Sequence, residues 1–370
     1  MLKNLYWTYG LVILIGMFLS CRYPSPHPIE GGPDTTVPNK PDTVIIDTIP
    51  AKNPDSSLAD IARFGSVDTI FTYSNLRISK GIFGKATDYK GKATDLSFEF
   101  VAPAKDTLKY RPFVLMVHEG AFIFGDLNSE MAMARGLARR GYAAASINYR
   151  LGFNGGTATF ACGGTGTDAV KAVYRAVQDT YSAIHYFVDH AEELGIDTRQ
   201  IMLAGSSAGA ITVSALVYMN EADFEALAPG ITKALGRLDP QAENSPFRVR
   251  ALLTQMGYGL FRGEYINASN AMPTVFFQRV GDNVLPYYGG TFLSCPGYPG
   301  MVGAKVGADQ LRKFKIPFEL NYENLEGHHL SYPGEYIVTR YAGFMKRLWS
   351  QNPRQITNNA YKTVEDVKLP

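Results

Sequence analysis

One short motif constrains the fold more than any other part of the chain. Gly205, Ser207 and Gly209 have the spacing G-x-S-x-G, with an apolar run at 201–204 before them and an apolar, helix-compatible stretch at 210–219 after them. A strand, a sharp turn and a helix in this order hold a serine hydroxyl clear of the sheet. The glycines are needed because a Cβ at either position would clash with the neighbouring strand or helix. The motif therefore predicts a nucleophilic serine at Ser207.

Strand-like and helix-like segments alternate through the chain from about residue 58. This alternation indicates an α/β fold with a mostly parallel central sheet and helices on both faces. Active sites in such sheets lie outside the carboxyl ends of the strands. The segment 221–247 is long enough only for a small lid. Besides the run at 201–204, the predicted strands are 69–73, 96–101, 113–117, 143–149, 249–253, 274–277 and 318–322. Besides the stretch at 210–219, the predicted helices are 130–140, 169–193, 304–314 and 335–350.

The charge balance argues against a polyanionic partner. The chain of 370 residues has 36 Lys and Arg against 34 Asp and Glu, a formal net charge of +2. The sequence has no run of basic residues of the kind that binds nucleic acid. We therefore expect no nucleic-acid partner.

The first 20 residues have the pattern of an export signal. Lys3 is positive, the apolar stretch 11–19 is too short to span a bilayer comfortably, and Ser20 and Cys21 follow directly. An apolar run ending in a small residue and cysteine resembles a bacterial lipoprotein signal. That resemblance implies an exported protein, anchored to a bacterial membrane by acyl chains on Cys21, on the periplasmic or cell-surface side. An ordinary cleaved signal with an incidental cysteine is the alternative.

Residues 21–57 are rich in proline interleaved with Asp, Thr and Gly, which predicts a flexible tether. Only 44–46 suggests a local contact with the folded body. The predicted organisation is a signal peptide at 1–20, a tether at 21–57 and a catalytic domain at 58–370.

Three further stretches carry a resemblance to a known family. Residues 117–122 read V-H-E-G-A-F, which looks like the oxyanion motif H-G-G-[GA]-[FW], and residues 148–151 read N-Y-R-L. Residues 175–179 and 195–197 look like the helix that leads into the nucleophile strand. Together with the serine motif they resemble the α/β-hydrolase superfamily, and within it the bacterial carboxylesterases and hormone-sensitive-lipase-like esterases. The resemblance covers residues 58–349.

This resemblance implies an oxyanion hole made of backbone N–H groups. Such fixed donors stabilise the negative charge of a tetrahedral intermediate without reorganising. The implied donors are Gly120, Ala121 and Ala208. Glu119 stands where the family has glycine, and we expect its carboxylate to point away from the hole, which leaves its role open. His118 is expected to brace the loop rather than act as a base.

A serine nucleophile needs a base, and the base needs an acid that holds its tautomer. The family order along the chain is serine, acid, histidine. After Ser207 the only histidines are His328 and His329, and the family pattern favours His328, with His329 as the alternative base. The segment 281–287 reads G-D-N-V-L-P-Y and resembles the family's acid loop, which implies Asp282 as the acid.

Other residues receive plainer interpretations. Cys162 and Cys295 either form a disulfide, as an oxidising compartment favours, or remain two inert thiols. Ser206 is interpreted as a packing residue. Arg175 and Asp179, four residues apart on a helix, are expected to pair. No metal site or cofactor is expected.

The predicted function is that of an exported serine hydrolase that cleaves carboxylic esters through an acyl-enzyme. The substrate is a small-molecule ester or an acyl group on a polysaccharide, the latter by analogy with related enzymes. The alternatives are an amidase or peptidase using the same triad, or a catalytically silent binding protein with this fold.

Overall fold

The fold is taken from a computed structural model. The residues that it describes are 45–48, 61–64, 68–242, 247–350 and 352–359. The predicted signal peptide, Cys21 and most of the predicted tether lie outside them. In this described part of the chain, no helix has the length and apolar character needed to cross a membrane.

The strands and helices follow one another in alternation over most of the chain. The strands are β1 Ile45–Thr48, β2 Leu76–Thr87, β3 Ala93–Pro103, β4 Arg111–Val117, β5 Ala143–Ile147, β6 Ile196–Ser206, β7 Val249–Gln255, β8 Thr274–Gly281, β9 Gly289–Thr291, β10 Gly300–Val302, β11 Phe318–Glu326 and β12 Arg354–Asn359. The helices are α1 Ile61–Phe64, α2 Asn128–Arg139, α3 Gly166–Asp189, α4 Ala191–Leu194, α5 Ala208–Tyr218, α6 Glu221–Leu227, α7 Ile231–Leu235, α8 Ala304–Lys313 and α9 Gly334–Trp349.

Ten of the described strands form one sheet in the order β1-β12-β11-β8-β7-β6-β4-β5-β3-β2. The strands from β5 to β12 in this order are parallel to their neighbours. The antiparallel pairs lie at the two edges of the sheet and involve β1 at one edge and β2 and β3 at the other. The predicted mostly parallel sheet is confirmed. The strand that leads to Ser207, β6, lies in its centre.

The sheet separates two apolar cores because successive strand residues point to opposite faces. In β4, Phe113, Leu115 and Val117 pack with residues of α3, α5 and α8. Val114 and Met116, which alternate with them, pack with residues of α2 and α9 on the other face. All seven residues of β4 are buried, as expected for a parallel strand covered on both sides.

The strand predicted at 69–73 is wrong. These residues form a loop and the start of a 3₁₀ turn, and the first long strand begins at Leu76. No residue of β2 is fully buried, because β2 lies at the side of the sheet. Its sequence therefore lacks the apolar pattern that marks buried strands.

The opposite side of the sheet is completed by two strands that the sequence analysis did not predict. β12 pairs parallel with β11, and β1 pairs antiparallel with β12. β1 falls within the range predicted as a tether, where the sequence suggested only a local contact at 44–46. The range 21–57 therefore includes one strand of the sheet.

The segment predicted as a small lid contains α6, which packs against α3 and α7. It follows the end of α5 that is remote from Ser207, about 16 Å along an eleven-residue helix. Its α7 end is held by α3, where Tyr174 Oη donates to the Gly236 carbonyl at 2.7 Å and Gln178 Nε2 donates to the Leu235 carbonyl at 2.8 Å.

Two loops at the carboxyl edge of the sheet are joined by a disulfide between Cys162 and Cys295, with an S–S distance of 1.99 Å. Tyr298 Oη also donates to the Ala161 carbonyl at 3.0 Å. The Phe292 ring contacts the Phe122 ring edge-on, with centroids 5.9 Å apart. The disulfide-linked loops therefore pack beside the loop that follows β4.

We predict that loss of this disulfide destabilises the protein without changing its fold. Closing a segment of 133 residues restricts the unfolded chain, which contributes about 2–4 kcal/mol to the free energy of unfolding. Cys295→Ser and the double variant with Cys162→Ser should be equally destabilised in urea unfolding, because either removes the bond. Two thiols that alkylate in the native oxidised protein would contradict the pairing.

Candidate active site

Ser207 occupies a strained turn between β6 and α5, with φ 50° and ψ −111°. Its N–H donates to the carbonyl of Gln255 at 3.0 Å. A Cβ on Gly205 would lie 2.3 Å from the Gly209 carbonyl carbon, and a Cβ on Gly209 would lie 1.9 Å from the Val117 carbonyl oxygen. Both glycines are therefore required by direct backbone contact, as the motif predicts.

The structure brings Ser207, Asp282 and His328 into one hydrogen-bonded series. His328 Nε2 lies 2.8 Å from Ser207 Oγ, and His328 Nδ1 lies 2.9 Å from both Asp282 carboxylate oxygens. Because the carboxylate can only accept, Nδ1 carries the proton and Nε2 accepts from the serine hydroxyl. The Asp282 side chain is fully buried, and that of His328 is 12% exposed.

Backbone and side-chain donors hold the acid loop. Asp282 Oδ1 accepts from the N–H groups of Val284 and Leu285 at 2.9 and 3.0 Å. Gln278, in the carboxyl-terminal half of β8, donates to the Leu285 carbonyl at 2.8 Å and accepts from the Ala304 N–H at 3.0 Å. The loop is therefore fixed to both β8 and α8.

The loop at 327–333, which carries His328 and is called the histidine loop below, is held by an ion pair between β8 and β11. Arg279 pairs with Glu323 at 2.8 Å and donates to the Glu326 carbonyl at 2.7 Å and to Ser331 Oγ at 2.8 Å. Glu323 also accepts from the Ser331 N–H at 2.9 Å. His329 is exposed, with its ring centroid 6.0 Å from that of His328. The geometry therefore engages His328 rather than His329.

The loop after β4 has three consecutive residues with positive φ, namely Gly120 at 114°, Ala121 at 52° and Phe122 at 64°. The Gly120 carbonyl accepts from the N–H groups of Ile123 and Phe124 at 2.8 and 3.0 Å. Within the described residues, the N–H groups of Gly120 and Ala121 themselves donate no backbone hydrogen bond. Ala208 is the first residue of α5, where an N–H has no partner inside the helix. Three backbone N–H groups are therefore available as donors.

His118 braces this loop. Its Nδ1 donates to the Glu119 carbonyl at 2.6 Å, and its ring stacks on Tyr149 with centroids 4.4 Å apart. Burial lowers the pKa of His118, so that its ring is neutral and Nδ1 carries the proton.

Ser206 is not a simple packing residue. Its hydroxyl donates to Glu130 Oε1 at 2.5 Å and accepts from Gln255 Nε2 at 2.7 Å. The pairing expected between Arg175 and Asp179 is also wrong. Asp179 pairs with Arg150 at 2.7 Å, and Arg175 donates to the Gly152 carbonyl at 2.8 Å.

Three groups of supporting residues were not predicted from the sequence. Gln278 and Arg279 directly follow the apolar run of β8, and polar residues at that edge of the sheet are a usable signal for a site. Glu323 gives the same signal after the apolar part of β11. Glu130 gives none, because it stands at the start of a helix, where an exposed glutamate is common.

Residues 98–271 match the protein family described as BD-FAE. This range contains both the loop with the free N–H groups and Ser207. The sheet order, the strained serine turn and the chain order of serine, acid and histidine agree with that match. The chain is thus similar to this family over just under half of its length, and it has the fold of an α/β hydrolase.

The chain is also similar to individual proteins. The probable N-octanoylanthranilate hydrolase AqdA2 of Rhodococcus erythropolis is 26% identical over 144 residues, which cover 39% of this chain and 30% of the relative. The similarity thus spans less than a third of that relative's length.

Two solved structures resemble it at low sequence identity. Esterase 2 of Thermogutta terrifontis phosphorylated by paraoxon has 16% identity and a TM-score of 0.47, covering 73% of this chain and 93% of that one. MGS-M1, an α/β hydrolase from a Medee basin deep-sea metagenome library, has 17% identity and a TM-score of 0.44, covering 70% and 85%.

Proposed function

We propose that this hydrolase cleaves carboxylic esters through an acyl-enzyme intermediate on Ser207. The observation that supports this most directly is the unbroken hydrogen-bonded series from Asp282 through His328 to the serine hydroxyl. A hydroxyl becomes a useful nucleophile when a base takes its proton during attack, and this series supplies the base and its orienting acid.

In the acylation step, Ser207 Oγ attacks the ester carbonyl carbon while His328 Nε2 takes the hydroxyl proton. Asp282 keeps the Nδ1–H tautomer and stabilises the imidazolium that forms. The carbonyl oxygen, now negative, accepts hydrogen bonds from the N–H groups of Gly120, Ala121 and Ala208. His328 then gives its proton to the leaving alcohol oxygen as the C–O bond breaks. Water repeats the sequence on the acyl-enzyme and releases the acid.

The acyl group and the alcohol are open to a direct test. Esters of small alcohols and acyl groups on polysaccharides are the proposed substrates, the latter on the analogy drawn from the sequence. The partial similarity to a relative named as an N-octanoylanthranilate hydrolase makes amide hydrolysis the second candidate. A panel of p-nitrophenyl esters from acetate to octanoate, a feruloyl ester, an acetylated xylan and N-octanoylanthranilate distinguishes them by kcat/KM.

We predict that Ser207→Ala abolishes hydrolysis while the protein stays folded. Loss of a nucleophilic serine of this kind costs on the order of 10⁶ in turnover. Ser182→Ala on α3, whose hydroxyl donates to the Gln178 carbonyl, is a matched control and should keep its activity. More than about a tenth of wild-type activity in Ser207→Ala would refute the assignment of the nucleophile.

The two histidines should differ sharply. His328→Ala removes the base and should lower kcat by a factor of roughly 10³ or more, whereas exposed His329 should tolerate alanine with a modest change. Steady-state kinetics of the two variants at one pH provide the comparison. The reverse ranking would mean that the loop shifts by one residue in the working enzyme.

We also propose that the mature hydrolase is exported and held at a bacterial membrane by acyl chains on Cys21. Support comes from the sequence alone, in which the apolar stretch 11–19 ends at Ser20 and Cys21. We predict that the wild-type chain expressed in a bacterium sediments with membranes and that Cys21→Ala moves it to the soluble fraction. Equal fractionation of the two would contradict the anchor.

A further inference from the structure

A series of hydrogen bonds connects the backbone of Ser207 to a buried carboxyl group on α2. Gln255, at the end of β7, accepts the Ser207 N–H through its carbonyl at 3.0 Å. Its side chain donates to Ser206 Oγ at 2.7 Å, and Ser206 Oγ donates to Glu130 Oε1 at 2.5 Å. A carboxyl group on α2 is thereby tied to the residue that precedes the nucleophile.

The second oxygen of Glu130 is unusual. The residue is only 2% exposed, and Oε2 meets no donor among the described residues. Burial raises the pKa of Glu130, and so do the charge of the Glu119 carboxyl, in the loop directly before Gly120, and a hydrogen bond between the two side chains. Two carboxyl groups in contact, one of them buried, cannot both be ionised at low cost. A shared proton resolves the conflict, because the protonated oxygen then donates to the other carboxyl.

We propose that Glu119 and Glu130 share one proton, and that this acid pair positions the loop at 118–127, the oxyanion loop, relative to the turn that carries Ser207. The proposal rests on the function proposed above. Neither glutamate touches the reacting atoms, so both act through the backbone groups beside them. Glu119 adjoins the Gly120 N–H, while Glu130 reaches the Ser207 N–H through Ser206 and Gln255.

The pair should respond to pH because its surroundings disfavour a second charge. Burial and, to a smaller extent, the charge of Glu119 together raise the pKa of Glu130 to about 8, against the hydrogen bonds from Ser206 and Gln255. The other titratable groups near the pair are the phenols of Tyr149 and of Tyr341 on α9, together with His118, which is neutral through burial. Above about pH 8 the two carboxylates repel, and the oxyanion loop is no longer held to the turn that carries Ser207.

Two variants of Glu130 test the positioning role. Glu130→Ala should lower kcat by on the order of 10²-fold with a much smaller change in KM, the effect expected when donors are displaced by about 1 Å. Glu130→Gln should restore most of that turnover, because an amide can accept from Ser206 and donate to Glu119 at any pH. It should also lack the fall in kcat that the wild type shows above about pH 8. Glu192→Gln, at an exposed glutamate paired with Lys109, is the control and should keep the wild-type profile.

Two measurements test the shared proton without any substrate. Infrared difference titration should detect a protonated carboxyl in the wild type at pH 7 that is absent from Glu130→Gln. Because the folded-state pKa lies above the usual value of 4.5, the native state holds a proton that the unfolded chain has released. The free energy of unfolding should therefore fall as pH rises from about 4.5 to about 8, and Glu130→Gln should remove that part of the slope.

The outcomes separate this proposal from the proposed function. If the protonated carboxyl is missing in the wild type or persists in Glu130→Gln, the acid pair is refuted even when Ser207 is the nucleophile. If both Glu130 variants keep the wild-type kcat and pH profile, the positioning role is refuted. If Ser207→Ala remains active, the proposed function fails, and the infrared and unfolding results still decide whether the proton is shared.

Discussion

The site depends on one contact between two backbones. At Gly209 the first turn of α5 lies so close to the end of β4 that a Cβ would stand 1.9 Å from the Val117 carbonyl oxygen. This approach sets the position of the oxyanion loop, because that loop begins at the next residue, His118. Ser207 and the free N–H groups of Gly120 and Ala121 therefore belong to segments that meet at a fixed distance. A larger residue at Gly209 would separate Ser207 from the N–H groups of Gly120 and Ala121.

The remaining groups of the site are held by polar residues in the carboxyl-terminal halves of two strands. In β8, Gln278 fixes the acid loop and Arg279 fixes the histidine loop. β11 contributes Glu323, which pairs with Arg279 and accepts from the histidine loop. Each reactive side chain thus stands on a loop, but each loop is fastened to rigid strands. Such support is what keeps a hydrogen bond like that between His328 and Ser207 at working length.

The sequence predicted the parts of the fold that carry their own local signal. The buried parallel strands and their helices were recognisable because apolar runs mark elements covered on both sides. β2 was not, since this edge strand has no buried residue and therefore no apolar pattern. β12 has three buried residues, but only Ile356 among them is apolar, so its pattern is also weak. The G-x-S-x-G spacing led to Ser207 because only glycine fits at the two positions where this turn approaches neighbouring backbone most closely. Asp282 and His328 were found through motifs and chain order, and the structure brings both of them to Ser207.

The sequence alone does not determine which of several possible side chains a polar residue pairs with. Arg175 lies one helical turn from Asp179, but Asp179 pairs with Arg150, which follows the end of β5. The backbone N–H of Arg150 also donates to the Asp179 carboxylate. Ser206 could not be assigned to Glu130, which lies 76 residues earlier in the chain.

The two sides of the site show why such long-range choices matter. Asp282 receives two backbone N–H groups and the histidine, which suits a carboxylate, whereas buried Glu130 receives one hydroxyl and faces another acid. Environment rather than residue type therefore underlies the different roles that we propose for these two acids, one orienting the base and the other bracing the oxyanion loop.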